Sequence, residues 1–197
     1  MEKYLDIISV TYGQTDILKC FINSIKAQTN PNWRLYLIHD GPNKSLHKEL
    51  INEGYLDSKN IMFVQFPERT EHYGHKLRKW GLKNLVKSDY VLLTNGDNYY
   101  TPNMVDEILN RDEEFIYFDL VHSHGTKHNT NKDTYGYMKT HLTRGLIDMG
   151  CVVIKSDIAK SVGFTSVEYH ADWIYFDSVL KLSPTIFKID KVLLVHN

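Results

Sequence analysis

The sequence predicts an α/β domain with a mostly parallel central sheet flanked by helices, and three features predict it. Short apolar, β-branched runs alternate with helical stripes through the first half, the pattern of parallel βαβ units. Three of those runs stop at turns rich in small and polar residues: Thr11-Tyr12-Gly13, His39-Asp40-Gly41 and Asn95-Gly96-Asp97-Asn98. The 197 residues are enough for one domain with a sizeable core, and no internal repeat, low-complexity tract or linker divides them.

Residues 4–10 (YLDIISV) read as the first strand. Thr15 or Asp16 can cap a helix whose stripe is Ile17, Leu18, Phe21, Ile22 and Ile25. A turn at Asn30-Pro31-Asn32 leads into the second strand, 33–38, and a short helix over 44–53 ends near Gly54. The third strand, 61–66, stops at Pro67; 75–86 is helical, with Leu77, Gly81 and Leu85 one turn apart. Residues 89–94 form the fourth strand, and Pro102 opens a helix carrying Met104, Val105, Ile108 and Leu109. Right-handed crossovers put the ends of parallel strands on one rim, so the three turns should converge. Beyond residue 110 the pattern loosens: strands at 114–121 and 150–155, a polar loop over 122–133, a helix marked by Trp173, Phe176 and Leu180, and one or two strands within 185–195.

Composition excludes several classes. A net charge of −1 argues against a general nucleic-acid binder. No apolar run approaches the length of a membrane span, and Met1-Glu2-Lys3-Tyr4 lacks the start of a signal peptide. Cys20 and Cys151 are expected as two buried free thiols, which suits a reducing compartment. The expected location is the cytoplasm, bacterial or that of a virus-infected host. The His122-Ser123-His124 tract with His128 looks like a zinc motif, but no cysteine is near to complete four ligands, and a polar loop is expected.

Several motifs together resemble the family 2 glycosyltransferases of GT-A fold. Ser9-Val10-Thr11-Tyr12-Gly13 is similar to their first strand and nucleotide loop. Ala27-Gln28-Thr29 followed by Tyr36-Leu37-Ile38-His39-Asp40-Gly41 is similar to their Q-T and hydrophobic-D-D-G motifs. Leu77-Arg78-Lys79-Trp80-Gly81 resembles their A-R-N-x-G helix, and Asp89 to Asn98 resembles the strand that ends in D-D-D or T-D-D-N. The likeness is strong over residues 4–110. It implies one GT-A domain over 1–197, in which 1–110 binds the nucleotide sugar and 111–197 the acceptor.

The resemblance implies transfer from a UDP-sugar to a glycan hydroxyl, dependent on Mn²⁺ or Mg²⁺ and inverting by one in-line displacement. A hard cation with oxygen ligands offsets the charge of a departing diphosphate. Asp97, with Asn95 and Gly96 beside it, is the expected metal anchor, although Gly96 stands where the family carries an acid. Asp40 would accept a hydrogen bond from the uracil ring, Tyr12 would border the base, and Thr11 and Gly13 would bring backbone groups close. Arg78 would offset pyrophosphate charge, and Asp148 would lie near the donor sugar. Asp172, in Tyr169-His170-Ala171-Asp172-Trp173, is the expected general base, with Glu168 as its runner-up. His196 would be a late metal ligand. Each has a plainer reading: Asp40 and Asp97 as turn formers, Arg78 as a solvated helix residue, Asp172 as a first-turn acid favoured by the helix dipole, His196 as an ordinary terminal histidine. Two other classes stay open, a sugar nucleotidyltransferase and a non-catalytic carbohydrate- or nucleotide-binding module. The first would need a glycine- and base-rich loop after the first strand, and Thr11-Tyr12-Gly13-Gln14-Thr15 has one glycine and no base.

Overall fold

The computed structural model describes residues 2–13, 15–122 and 135–196. His124 and His128 of the histidine tract, and most of the expected polar loop, lie outside the described residues. In chain order the strands are β1 (Leu5–Thr11), β2 (Trp33–His39), β3 (Ile61–Gln65), β4 (Tyr90–Asn95), β5 (Tyr99–Tyr100), β6 (Phe115–His122), β7 (Gly136–Met138), β8 (Val152–Lys155) and β9 (Ile186–His196). The α-helices are α1 (Asp16–Lys26), α2 (Lys44–Asn52), α3 (His75–Asn84), α4 (Met104–Leu109), α5 (Ser156–Val162) and α6 (Ala171–Leu180), with 3₁₀ turns at His72–Gly74 and Met149–Cys151.

One mixed sheet runs β3-β2-β1-β4-β8-β6-β9-β5, with β7 paired to β6. Its first four strands are parallel, joined by the expected crossovers. Past β4 the direction changes. Strand β8 is antiparallel to both β4 and β6, while β9 runs parallel to β6. Parallel neighbours need a crossover element between them. Helices α5 and α6 supply it on the way to β9.

Strand β1 is buried along its whole length, which is why it reads as an unbroken apolar run with only Asp6, Ser9 and Thr11 as polar members. Asp6 is satisfied by Arg34 Nε at 2.9 Å and by the backbone N–H groups of Lys87 and Ser88. Helix α1 buries Leu18, Phe21, Ile22 and Ile25 but leaves Ile17 and Cys20 exposed. The expectation of two buried thiols therefore holds for Cys151 alone; Cys20 lies outside the helix face that packs on the sheet. Thr15 does not cap α1 with its side chain, since its own backbone is already helical.

The Gln28-Thr29 pair has a structural role. The Gln28 amide donates to the carbonyls of Ser24 and Thr101, and its oxygen accepts from Val105 N–H at 3.0 Å. Thr29 N–H donates to the Pro102 carbonyl at 2.8 Å. Together they clamp the segment after β5 onto α1 and serve an otherwise orphaned donor of α4. The segment 185–195, expected to carry one or two strands, forms the single long strand β9. It is bent by register shifts about Asp119 in β6, the signature of a bulge.

Candidate active site

Two adjoining clefts lie at the carboxyl ends of the parallel strands. The smaller, about 460 Å³, is lined by Thr11, Tyr12, Asp40, Asn95, Gly96 and Asp97, together with residues of the segment 69–74 and Leu77. The three strand-end turns thus converge. The larger, about 670 Å³, is lined by Arg78, Asp148, Asp172, His196, His122 and Trp173, among others. Tyr73 and Asn95 line both. Gly13 lies beside the smaller cleft, in a left-handed backbone conformation (φ 65°).

The floor of the smaller cleft is rigidly built. Gly13 N–H donates to His39 Nε2 at 3.3 Å, and His39 Nδ1 meets the Gly41 carbonyl at 2.7 Å, which requires the tautomer protonated at Nδ1. The buried His39 therefore ties the turn after β1 to the turn after β2. The Asp40 carboxylate accepts from Thr70 N–H at 2.6 Å, Thr70 Oγ1 at 2.9 Å and Glu71 N–H at 3.2 Å. It holds the segment after β3 against the cleft. That segment contributes Arg69, whose guanidinium stacks over the Tyr12 ring at 4.0 Å.

Gly96 marks a close approach of the β4 turn to the β1 turn. A Cβ there would lie 2.9 Å from Leu18 Cδ1 and 3.0 Å from Thr11 Cβ. A side chain at position 96 would need the Leu18 side chain to shift and Thr11 to give slightly, so an acid there carries a packing cost.

Arg78 is almost fully buried, at 3% exposure, and is not a solvated helix residue. It donates to the Tyr73 carbonyl at 2.6 Å, to His75 Nδ1 at 3.2 Å and to Asn95 Oδ1. Burial lowers its pKa to about 10, opposed by the nearby carboxylates of Asp148, Asp172 and Asp97. It stays cationic at neutral pH, a positive centre facing acids of both clefts. Burial also raises the Asp172 pKa above the usual carboxylate range. The Trp173 N–H, bonded to Asp172 Oδ1 at 2.7 Å, opposes that shift, and the Asp148 charge adds to it. His75 is driven the other way. Burial, then the Arg78 charge, lowers its pKa to about 4, with the Glu168 backbone offsetting part.

Asp148 Oδ1 accepts from Gly150 N–H at 2.8 Å, and Oδ2 lies 3.5 Å from His196 Nε2. His196 is in turn the register partner of His122 across β6 and β9. Asp97 and His196, the expected metal ligands, line different clefts. Among the described residues, no three His, Cys, Asp or Glu side chains are grouped so as to hold a metal ion. A cation at Asp97 would therefore take most of its ligands from a bound diphosphate and water, the usual habit of Mg²⁺.

The sequence reading missed Arg69, Tyr73 and Arg144, all of which line these clefts. They lie outside regular helices and strands, where no periodicity flags them.

The glycosyl transferase family 2 model matches residues 6–159. The chain belongs to this family. Among solved structures, S. aureus TarS (1-349) aligns with a TM-score of 0.75 at 15% identity, over 98% of this chain and 60% of that one. TarS 1-349 in complex with UDP-GlcNAc aligns equally well, with 15% identity over 98% of this chain and 58% of that one. The mannosyltransferase PcManGT from Pyrobaculum calidifontis, in complex with GDP-Man and Mn²⁺, aligns with a TM-score of 0.70 at 10% identity, over 99% of this chain and 57% of that one. These likenesses establish the GT-A fold for this family 2 member. The chain spans about three fifths of the length of these solved chains, and 36% of a longer TarS chain. Among curated proteins none matches the sequence. No helix among the described residues is long and apolar enough to cross a membrane.

Proposed function

We propose that this family 2 protein transfers a hexose from a UDP-sugar to a glycan hydroxyl, with inversion, the half 1–110 binding the donor and the half 111–197 the acceptor. The observation that carries the reading is the buried Arg78 cation. It contacts Asn95 of the smaller cleft and faces the acids of the larger one, where the charges of a diphosphate and of a base must meet.

In this reading the uridine enters the smaller cleft against Tyr12 and Arg69. The uracil imide donates to Asp40, alongside the bonds that this carboxylate already accepts. Arg78 and the backbone about Gly96 offset the diphosphate. Asp97, with Asn95 beside it, would hold Mn²⁺ or Mg²⁺, and His196 could join only if the ligand bridged the two clefts. When bound, the ion supplies positive charge that stabilises the departing diphosphate. Asp148 borders the donor sugar. Asp172 accepts the proton of the acceptor hydroxyl as its oxygen bonds to the anomeric carbon, and the carbon–oxygen bond to UDP breaks on the opposite side. Burial suits Asp172 to this role, because a raised pKa makes its carboxylate a stronger base. The two free cysteines fit a cytoplasmic setting.

The test is a donor screen across UDP-, GDP- and dTDP-sugars with and without Mn²⁺, reading release of free nucleoside diphosphate. Metal-dependent release of UDP is the expected result. Consumption of pyrophosphate instead would make the protein a nucleotidyltransferase. Nucleotide affinity independent of metal, with no release, would make it a binding module.

A further inference from the structure

Tyr73 and Tyr169 stand on the rim of the larger cleft with most of their surface in water, at 67% and 71% exposure. They come from different parts of the chain, the 3₁₀ turn before α3 and the segment before α6. Their ring centroids are 5.8 Å apart and the ring planes meet at 71°. His170 packs edge-on against Tyr169 at 4.9 Å. Asp172 and Trp173 line the same cleft. The rings thus form an open corner beside Asp172, the expected base.

The backbone that presents Tyr73 is strained. Glu71, His72 and Tyr73 lie consecutively in the left-handed region, at φ 56°, 51° and 55°, a conformation that disfavours residues with a Cβ. Arg78 holds it there through the Tyr73 carbonyl. Gly74 follows, at φ 72°, where a Cβ would lie 2.9 Å from Val10 Cγ2. Strain of this kind persists where surrounding structure enforces it, and it gathers at ligand-binding sites. Here it displays an aromatic ring to solvent that adds nothing to the core.

We propose that Tyr73 and Tyr169 form a stacking platform for a pyranose ring of the acceptor. The proposal rests on the glycosyltransferase reading and deepens it. The acceptor class is a saccharide that presents an apolar C–H face, rather than an isolated side-chain or lipid hydroxyl. An aromatic face carries negative charge density and attracts the slightly positive C–H groups of a sugar. An exposed ring gains most from such a partner because it also leaves water. The platform is separate from the base-binding surface, since Tyr12, under the Arg69 guanidinium, belongs to the smaller cleft. Tyr169 is the cleaner probe, because Tyr73 lines both clefts.

The experiment uses the full chain with UDP and diamagnetic Mg²⁺. Saturation-transfer NMR is recorded with methyl β-D-glucopyranoside, methyl β-D-galactopyranoside, methyl N-acetyl-β-D-glucosaminide and methyl α-D-mannopyranoside, and UDP affinity is measured separately by calorimetry. At least one glycoside is expected to receive saturation on its ring C–H protons. Tyr169→Leu should weaken its affinity fivefold or more, and Tyr169→Phe should stay within twofold of wild type, because the platform uses the ring and not the hydroxyl. UDP affinity should be the same in all three proteins, which also reports that each is folded. Wild type that binds UDP but no glycoside, or Tyr169→Leu that binds as wild type does, overturns the platform. Wild type that shows Tyr169-dependent glycoside binding but no affinity for UDP overturns the donor reading and leaves the platform standing.

Discussion

His75 makes the stability of this protein depend on pH in a defined direction. Its imidazole is buried at 7% exposure and accepts a hydrogen bond from Arg78, so protonation would remove that acceptor and set two cations side by side. Its folded pKa is about 4, against roughly 6.5 in an unfolded chain. Between those values the unfolded chain binds more protons than the folded one, so stability falls as the pH is lowered. The loss attributable to this residue is about 2 kcal/mol at pH 5 relative to pH 8, and it levels off near 3 kcal/mol below pH 4. The perturbation is His75→Gln, which retains an acceptor for Arg78 but does not titrate. Urea unfolding of both proteins at pH 8, 7, 6 and 5 isolates the residue, because other titrating groups are common to the two. The stability advantage of wild type over the variant should shrink by about 2 kcal/mol from pH 8 to pH 5. At the transition midpoint this corresponds to about 4–8 °C for a chain of this size. An advantage constant to within about 0.5 kcal/mol across that range would mean that His75 is solvated enough to protonate in the folded state, and the account of the Arg78 cluster would fail with it.

Gly96→Asp, which restores an acid at the family's position, should not strengthen metal binding; overpacking against Leu18 and Thr11 should cost about 1–3 kcal/mol, read by urea unfolding. Arg78→Met should destabilise the protein by about 1–3 kcal/mol, because the buried acceptors on Tyr73 and Asn95 lose their donor. Equal midpoints for that variant and wild type would show the cation to be dispensable. Asp97→Ala should abolish the Mn²⁺-dependent part of UDP affinity in calorimetry, and affinity that still responds to Mn²⁺ would move the ion elsewhere. Asp172→Asn should leave UDP affinity near wild type while UDP release in the presence of acceptor falls about 10²–10⁴-fold; unchanged turnover would require another base.

Much of the first half was legible because its strands are buried on both faces. Strands β1, β2 and β4 read as near-continuous apolar runs, and each ends in a turn whose residue types are informative. The convergence of Thr11, Asp40 and Asp97 then followed from crossover handedness. The second half was less legible because its pairings depend on contacts between distant residues. Nothing local in 186–196 announces that this strand lies between β6 and β5, or that its register with β6 shifts opposite Asp119. Helix α1 shows a different limit. Ile17 fits the apolar period and Cys20 is an often-buried residue type, yet both lie beyond the angular width of the face that packs. The role of Arg78 was legible only as one of two alternatives. A basic residue on a helix looks the same in sequence whether it faces solvent or the acids of a cleft, and the deciding fact is the proximity of Asp148 and Asp172 in three dimensions.

The pairing of β5 with β9 has a kinetic consequence. It joins Tyr99 and Tyr100, just after the acid turn, to Val195 and Leu194 at the far end of the described chain. The sheet therefore cannot close until residues far apart in sequence have met, an arrangement that slows folding. During synthesis, the parallel core of β1 to β4 can assemble while the edge that β8 will later cover is still open. In that interval the nascent chain presents an unpaired strand to its neighbours, the period in which it is most prone to aggregate or to need a chaperone.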